Sequence, residues 1–168
     1  MAEDFPRLYL CSTVTLILTP AQLSLIKSHA ERTYPDECCG LLVGRLDADD
    51  RSVVVVQPTE NAWSDEPVSD TADFSLTKSR RYWIAPEEML KGMRSARDQG
   101  LEIIGIYHSH PDHPATPSEC DRQLAWSTYS YLIVSVPQGK ADACSSWRLD
   151  DGQQFQPEMI RIVHPASC

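Results

Sequence analysis

The chain has 168 residues, 42% of them apolar and 23% charged, room for one domain with a sizeable core and too little for two. A formal net charge of −9 argues against nucleic acid as a partner, because phosphate binding needs a basic face. No run approaches the roughly 20 apolar residues of a spanning helix, and Glu3 and Asp4 stand where a signal peptide carries positive charge, so a cytoplasmic protein with no membrane partner is expected.

Residues 1–12 read as a loosely ordered leader, and 13–168 as a single domain. "TVTLIL" (13–18) is a short strand of β-branched and aliphatic residues. Thr19 and Pro20 supply an N-cap and a first helical residue, and Leu23, Ile26, Ala30 and Tyr34 recur at helical spacing until Pro35. "CCGLLVGRL" and "RSVVVVQP" flank the acidic turn "DADD" and predict a hairpin. Residues 59–79 are polar, without a sustained period, and long for a loop, which suggests either a functional flap or a disordered segment. "RRYWIA" (80–85) is a strand candidate, and Pro86 opens a second helix that Gly100 closes. The strand "EIIGIYH" follows, then a histidine-rich turn, then a short helix "SECDRQLAWS" with a Ser-x-x-Asp start that resembles a capping box. "SYLIVSV", "SSWRLD" and "MIRIVH" are strands. This order predicts a mixed β-sheet flanked by helices, in the α/β or α+β class. Lys78, Arg80, Arg81, Lys91, Arg94 and Arg97 gather in one stretch, so one face is expected to be basic.

Three of the five histidines fall within residues 108–113. On a strand, residues i and i+2 face the same side about 7 Å apart, so His108 and His110 converge if the strand runs through them. A helix starting at Ser118 returns Asp121 toward them. Two imidazoles and one carboxylate form the three-ligand set of a catalytic zinc site, with a fourth position for water. Calcium or magnesium would want more oxygens, and copper is not excluded by ligand type. His113 is close in sequence but suits a turn role once three ligands are present. His29 and His164 read as surface or structural. The six cysteines form no CxxC pair and read as free thiols, with Cys38, Cys39 and Cys120 beside the motif. The four tryptophans are expected in the core or under the flap.

His108-Ser-His110, seven residues from Pro111 to Pro117, Ser118, two residues and Asp121 resemble the JAMM (MPN-plus) motif of the Mov34/MPN/PAD-1 metallopeptidases, in its bacterial stand-alone form. "YPDECCGLLVG" supplies the upstream glutamate of that pattern as Glu37. The resemblance implies an MPN/JAB fold, cytidine-deaminase-like in architecture. A deaminase itself is disfavoured, because the H-x-E and P-C-x-x-C signature is missing. It further implies one Zn2+ per chain on His108, His110 and Asp121, Glu37 as general acid/base, and Ser118 as a donor to the oxyanion. Ser118 also sits where an N-cap belongs. The implied substrate is the C-terminal tail of a ubiquitin-like or sulfur-carrier (ThiS/MoaD-type) protein. A zinc hydrolase of a small amide and a non-catalytic MPN scaffold are the alternatives.

Overall fold

The computed structural model describes residues 14–64 and 77–164. The leader and most of the proposed flap therefore lie outside the described residues. The elements are β1 (Thr15–Leu18), α1 (Pro20–Thr33), β2 (Cys39–Asp47), β3 (Asp50–Thr59), α2 (Pro86–Asp98), β4 (Glu102–Pro111), α3 (Glu119–Leu124), β5 (Ser130–Val136), β6 (Cys144–Leu149) and β7 (Phe155–Ile162). The strands form one mixed sheet in the order β1-β3-β2-β4-β5-β6-β7, and β1 pairs with both β3 and β7, so the sheet closes on itself.

Local chemistry sets the element boundaries. Thr19 caps α1 by accepting from the Gln22 N–H, and the Gln22 side chain accepts from the Thr19 N–H in return. Ile26 and Ala30 are the residues α1 buries. Gly92 lets α2 lie close on β2, because a Cβ there would collide with Leu41.

Apolar residues of β2 and β4 divide between two core clusters. Leu42, Ile104 and Tyr107 join Ile26 and Ala30 of α1, whereas Leu41, Val43, Ile103 and Ile106 join Ala96 of α2. Burial on both faces explains why "EIIGIY" is a continuous apolar run rather than an alternating one.

Three expectations need correction. Residues 81–85 form no strand; they run irregularly into α2, held by side-chain contacts described below. The third helix ends at Leu124 rather than at Ser127. Trp83 and Trp126 are 43% and 66% exposed rather than in the core, whereas Trp147 packs against the second core cluster.

Candidate metal centre

β4 and β5 are parallel, in register from Gly105↔Ser130 to Pro111↔Val136, so the chain must cross over between them. That crossover contains α3. It brings the start of a helix to the end of β4, and the predicted ligands meet there. His108 Nε2 lies 3.1 Å from His110 Nε2. Asp121 Oδ1 is 3.3 Å from His108 Nε2, and Oδ2 is 3.3 Å from His110 Nε2. All three residues are buried, and together they form a group able to hold a metal ion.

Hydrogen bonds orient this group. His110 Nδ1 is 2.8 Å from the Pro114 carbonyl. A carbonyl only accepts, so Nδ1 carries the proton and the Nε2 lone pair faces Asp121 and His108. Tyr82 stacks on His108 with ring centroids 4.4 Å apart. Full burial lowers the His108 pKa, and the Asp121 carboxylate opposes that shift. Burial pushes the Asp121 carboxyl up, but His108 and His110 outweigh it and hold the group well below the usual carboxylate range.

Ser118 is the N-cap of α3. Its Oγ accepts from the Asp121 N–H at 3.1 Å and donates to Asp121 Oδ2 at 2.8 Å, while its N–H donates to the same oxygen at 2.6 Å. The capping reading and the site reading therefore meet in one residue, which fixes the carboxylate of Asp121.

Glu37 sits just before β2 and is 4% exposed. Its Oε2 has no hydrogen-bond partner. Burial and the Asp121 charge push its carboxyl up to about 9, with Arg80 opposing. Ser109 faces away from the site between the two histidines. It accepts from the Cys38 N–H through Oγ at 2.8 Å and donates its own N–H to the Cys38 carbonyl at 3.1 Å. The chain bearing Glu37 is thus tied to the strand bearing the histidines.

The remaining candidates have ordinary places. His113 is exposed in the turn, where its carbonyl accepts from Ser135. His29 bonds the Tyr107 hydroxyl at 2.8 Å, and His164 is exposed. Cys38 and Cys39 are both buried, and burial pushes their thiols up to about 12 and about 11. Reactive thiols are low in pKa and accessible, so neither is placed for redox chemistry. Cys120 is half-buried, and burial raises its pKa as well.

Sequence reasoning missed Tyr82, Ser109 and Asn61 as parts of this site. Only Ser109 left a signal: a serine inside an apolar strand must find a hydrogen-bond partner.

The sequence profile of the prokaryotic homologs of the JAB domain matches residues 19–150. The chain belongs to this family. It is thus a JAB-type peptidase, a hydrolase. A desampylase of Haloferax volcanii is 33% identical over 150 residues, covering 82% of this chain and 96% of the relative. A probable TtuB-protein conjugate cleaving protease of Thermus thermophilus is 31% identical, covering 76% and 72%. A CysO-cysteine peptidase of Mycobacterium tuberculosis is 30% identical, covering 90% and 94%. Among solved structures, a protein from Desulfitobacterium hafniense superposes with a TM-score of 0.71 at 31% identity, over 89% of this chain and 94% of that one. A JAB1/MPN domain protein from Archaeoglobus fulgidus shares the fold at 16% identity and a TM-score of 0.51, over 91% and 99%.

Proposed function

We propose that this JAB-type peptidase uses one zinc ion to hydrolyse an amide bond at the C-terminal tail of a ubiquitin-like or sulfur-carrier protein, in the cytoplasm. One observation carries the reading. His108, His110 and Asp121 bring three ligand atoms together, and the Asp121 charge reaches Glu37, whose buried Oε2 has no hydrogen-bond partner among the described residues. The donor set fits zinc. Zn–N bonds of about 2.0–2.1 Å in a tetrahedron separate ligand atoms by roughly 3.3 Å, and the separations here are 3.1, 3.3 and 3.3 Å. His108, His110 and Asp121 would hold the ion.

Bound zinc supplies Lewis acidity and lowers the pKa of water to near 7. Glu37 is the proton carrier: as a carboxylate, the form that a nearby cation favours, its free Oε2 takes the proton of the attacking water and passes it to the leaving amine. Ser118 supports Asp121 at rest, and its hydroxyl turns from Oδ2 to donate to the oxyanion that develops in the transition state. Tyr82 covers His108 and helps to keep water off that ligand.

The names of the relatives support the substrate class, because two of them specify TtuB-protein conjugates and CysO-cysteine. The surface beside the site supports a protein-sized substrate over a small amide. Tyr82 also lines an apolar cavity of about 320 Å³ between α2 and α3, with Met89, Leu90, Leu124, Trp126 and Tyr131. Leu90, Leu124 and Trp126 are exposed, at 47%, 46% and 66%. Patches of that kind mark contact sites for other proteins. Incubation with Gly-Gly carriers bearing C-terminal extensions, read by intact mass, tests the proposal. Removal of the extension is the expected result, and cleavage of short peptides with intact carriers would overturn the substrate class.

A further inference from the structure

Asn61 lies two residues beyond the end of β3 and is 8% exposed. A carboxamide can make four hydrogen bonds, two as donor and two as acceptor, and Asn61 makes all four. Nδ2 donates to the Glu37 carbonyl at 3.0 Å and to the Arg81 carbonyl at 2.9 Å. Oδ1 accepts from the Trp63 N–H at 3.0 Å and from the Trp83 N–H at 3.1 Å. None of these partners is in a helix or strand, so no ladder would hold them if the amide were removed. The Ala62 N–H donates to the Trp83 carbonyl at 2.8 Å, closing the same junction. On the other side of Glu37, its own N–H donates to the Lys78 carbonyl at 2.9 Å.

One side chain therefore ties down two parts of the site at once. Through the Glu37 carbonyl it fixes the backbone from which the acid/base carboxyl extends. Through Arg81 and Trp83 it fixes both neighbours of Tyr82, the ring stacked on His108. The Glu37 carboxyl needs such external support, because its Oε2 makes no protein hydrogen bond that would orient it.

We infer that Asn61 is a positioning residue for the reaction, an amide clamp that sets Glu37 against the metal centre, and this rests on the acid/base role of Glu37 proposed above. A misplacement of about 1 Å can cost about 10²-fold in rate. Asn61→Asp keeps the shape and loses both donors. Its kcat should fall about 10- to 100-fold, with KM and zinc content nearly unchanged. In a Glu37→Gln background the same change should cost less than about 3-fold, because residues that act as a unit are not additive. Hydrogen exchange needs no substrate. It should speed at Glu37, Cys38 and residues 81–83 and stay unchanged in β4 and β5.

Wild-type kcat in Asn61→Asp, an equal loss on both backgrounds, loss of zinc, or unchanged exchange would each overturn the inference. Asn61→Ser serves if Asn61→Asp does not fold. Failure of both to fold would make the residue structural and also overturn it. If the wild type cleaves no carrier, the function proposed above fails on its own, and the exchange result still decides the clamp.

Discussion

Glu37 and Glu158 are buried to nearly the same depth, 4% and 7% exposed, at opposite ends of the sheet. Glu158 of β7 sits near the start of β5. It accepts from Ser130 Oγ at 2.9 Å and from Ser146 Oγ at 2.6 Å, one serine on each oxygen. Burial raises its pKa, while the two serines and the charges of Arg51 and Arg148 oppose the rise. Glu37 lies near the end of β4, and its Oε2 has no partner. Burying a carboxyl is costly unless its hydrogen bonds are made. The protein meets that requirement at Glu158 and leaves it unmet at Glu37, the acid/base proposed above. Depth alone does not separate the two carboxyls; unfilled bonding capacity does.

The strongest way to break this contrast is at the metal. Purified protein should contain about one zinc per chain, and Asp121→Ala or chelation should abolish cleavage while β-sheet content remains. Full zinc occupancy in Asp121→Ala, measured by elemental analysis, would remove Asp121 from the ligand set.

Next in size is the acid/base step. Glu37→Gln should lower kcat by about 10²–10⁴ while zinc is retained. Glu158→Gln should stay within about 2-fold, because it keeps the shape and one acceptor at the other end of the sheet. Equal losses in the two variants would mean that burial, and not proton transfer, governs both residues.

Stability sharpens the contrast with opposite signs. The folded pKa of Glu37 is raised from 4.5 to about 9. Its contribution is therefore fully present below about pH 4.5 and is lost progressively as pH rises toward 9. In metal-free protein at pH 7 the loss amounts to roughly 3 kcal/mol, so Glu37→Gln should raise the melting temperature there, with a gain that grows from pH 5 to 8. Glu158→Ala should instead destabilise by about 1–3 kcal/mol, since it strands two buried hydroxyls. Melting curves with chelator across that pH range read both effects. A Glu37→Gln variant less stable than wild type at pH 7 would contradict the uncompensated burial.

The smallest effect lies at the rim. Lys91 and Arg94 are exposed on α2 beside the apolar cavity. Reversing both to Glu should reduce kcat/KM about 2- to 5-fold at low salt with kcat unchanged. No salt dependence in either protein would show that this basic face takes no part in docking.

The convergence of His108, His110 and Asp121 was legible because these candidate ligands follow short-range rules. His108 and His110 share a strand face by the two-residue period, and Ser118 and Asp121 share a helix start by capping geometry. Each pair is set by a few adjacent backbone angles. The strand and helix order was readable for the same reason, from periodicity and from caps such as Thr19 and Pro20. "RRYWIA" was misread because β-branched and aromatic composition signals burial against a neighbour. Here that neighbour is not a strand: Tyr82 packs on His108, and the backbone on either side bonds to a side-chain amide. Closure of the sheet depends on β1 meeting β7, partners more than 140 residues apart, and no local pattern records such a pairing. Asn61, Tyr82 and Ser109 took their roles the same way. An asparagine after a strand, a tyrosine in a loop and a serine between histidines are commonplace until the fold brings Glu37 and the candidate ligands against them.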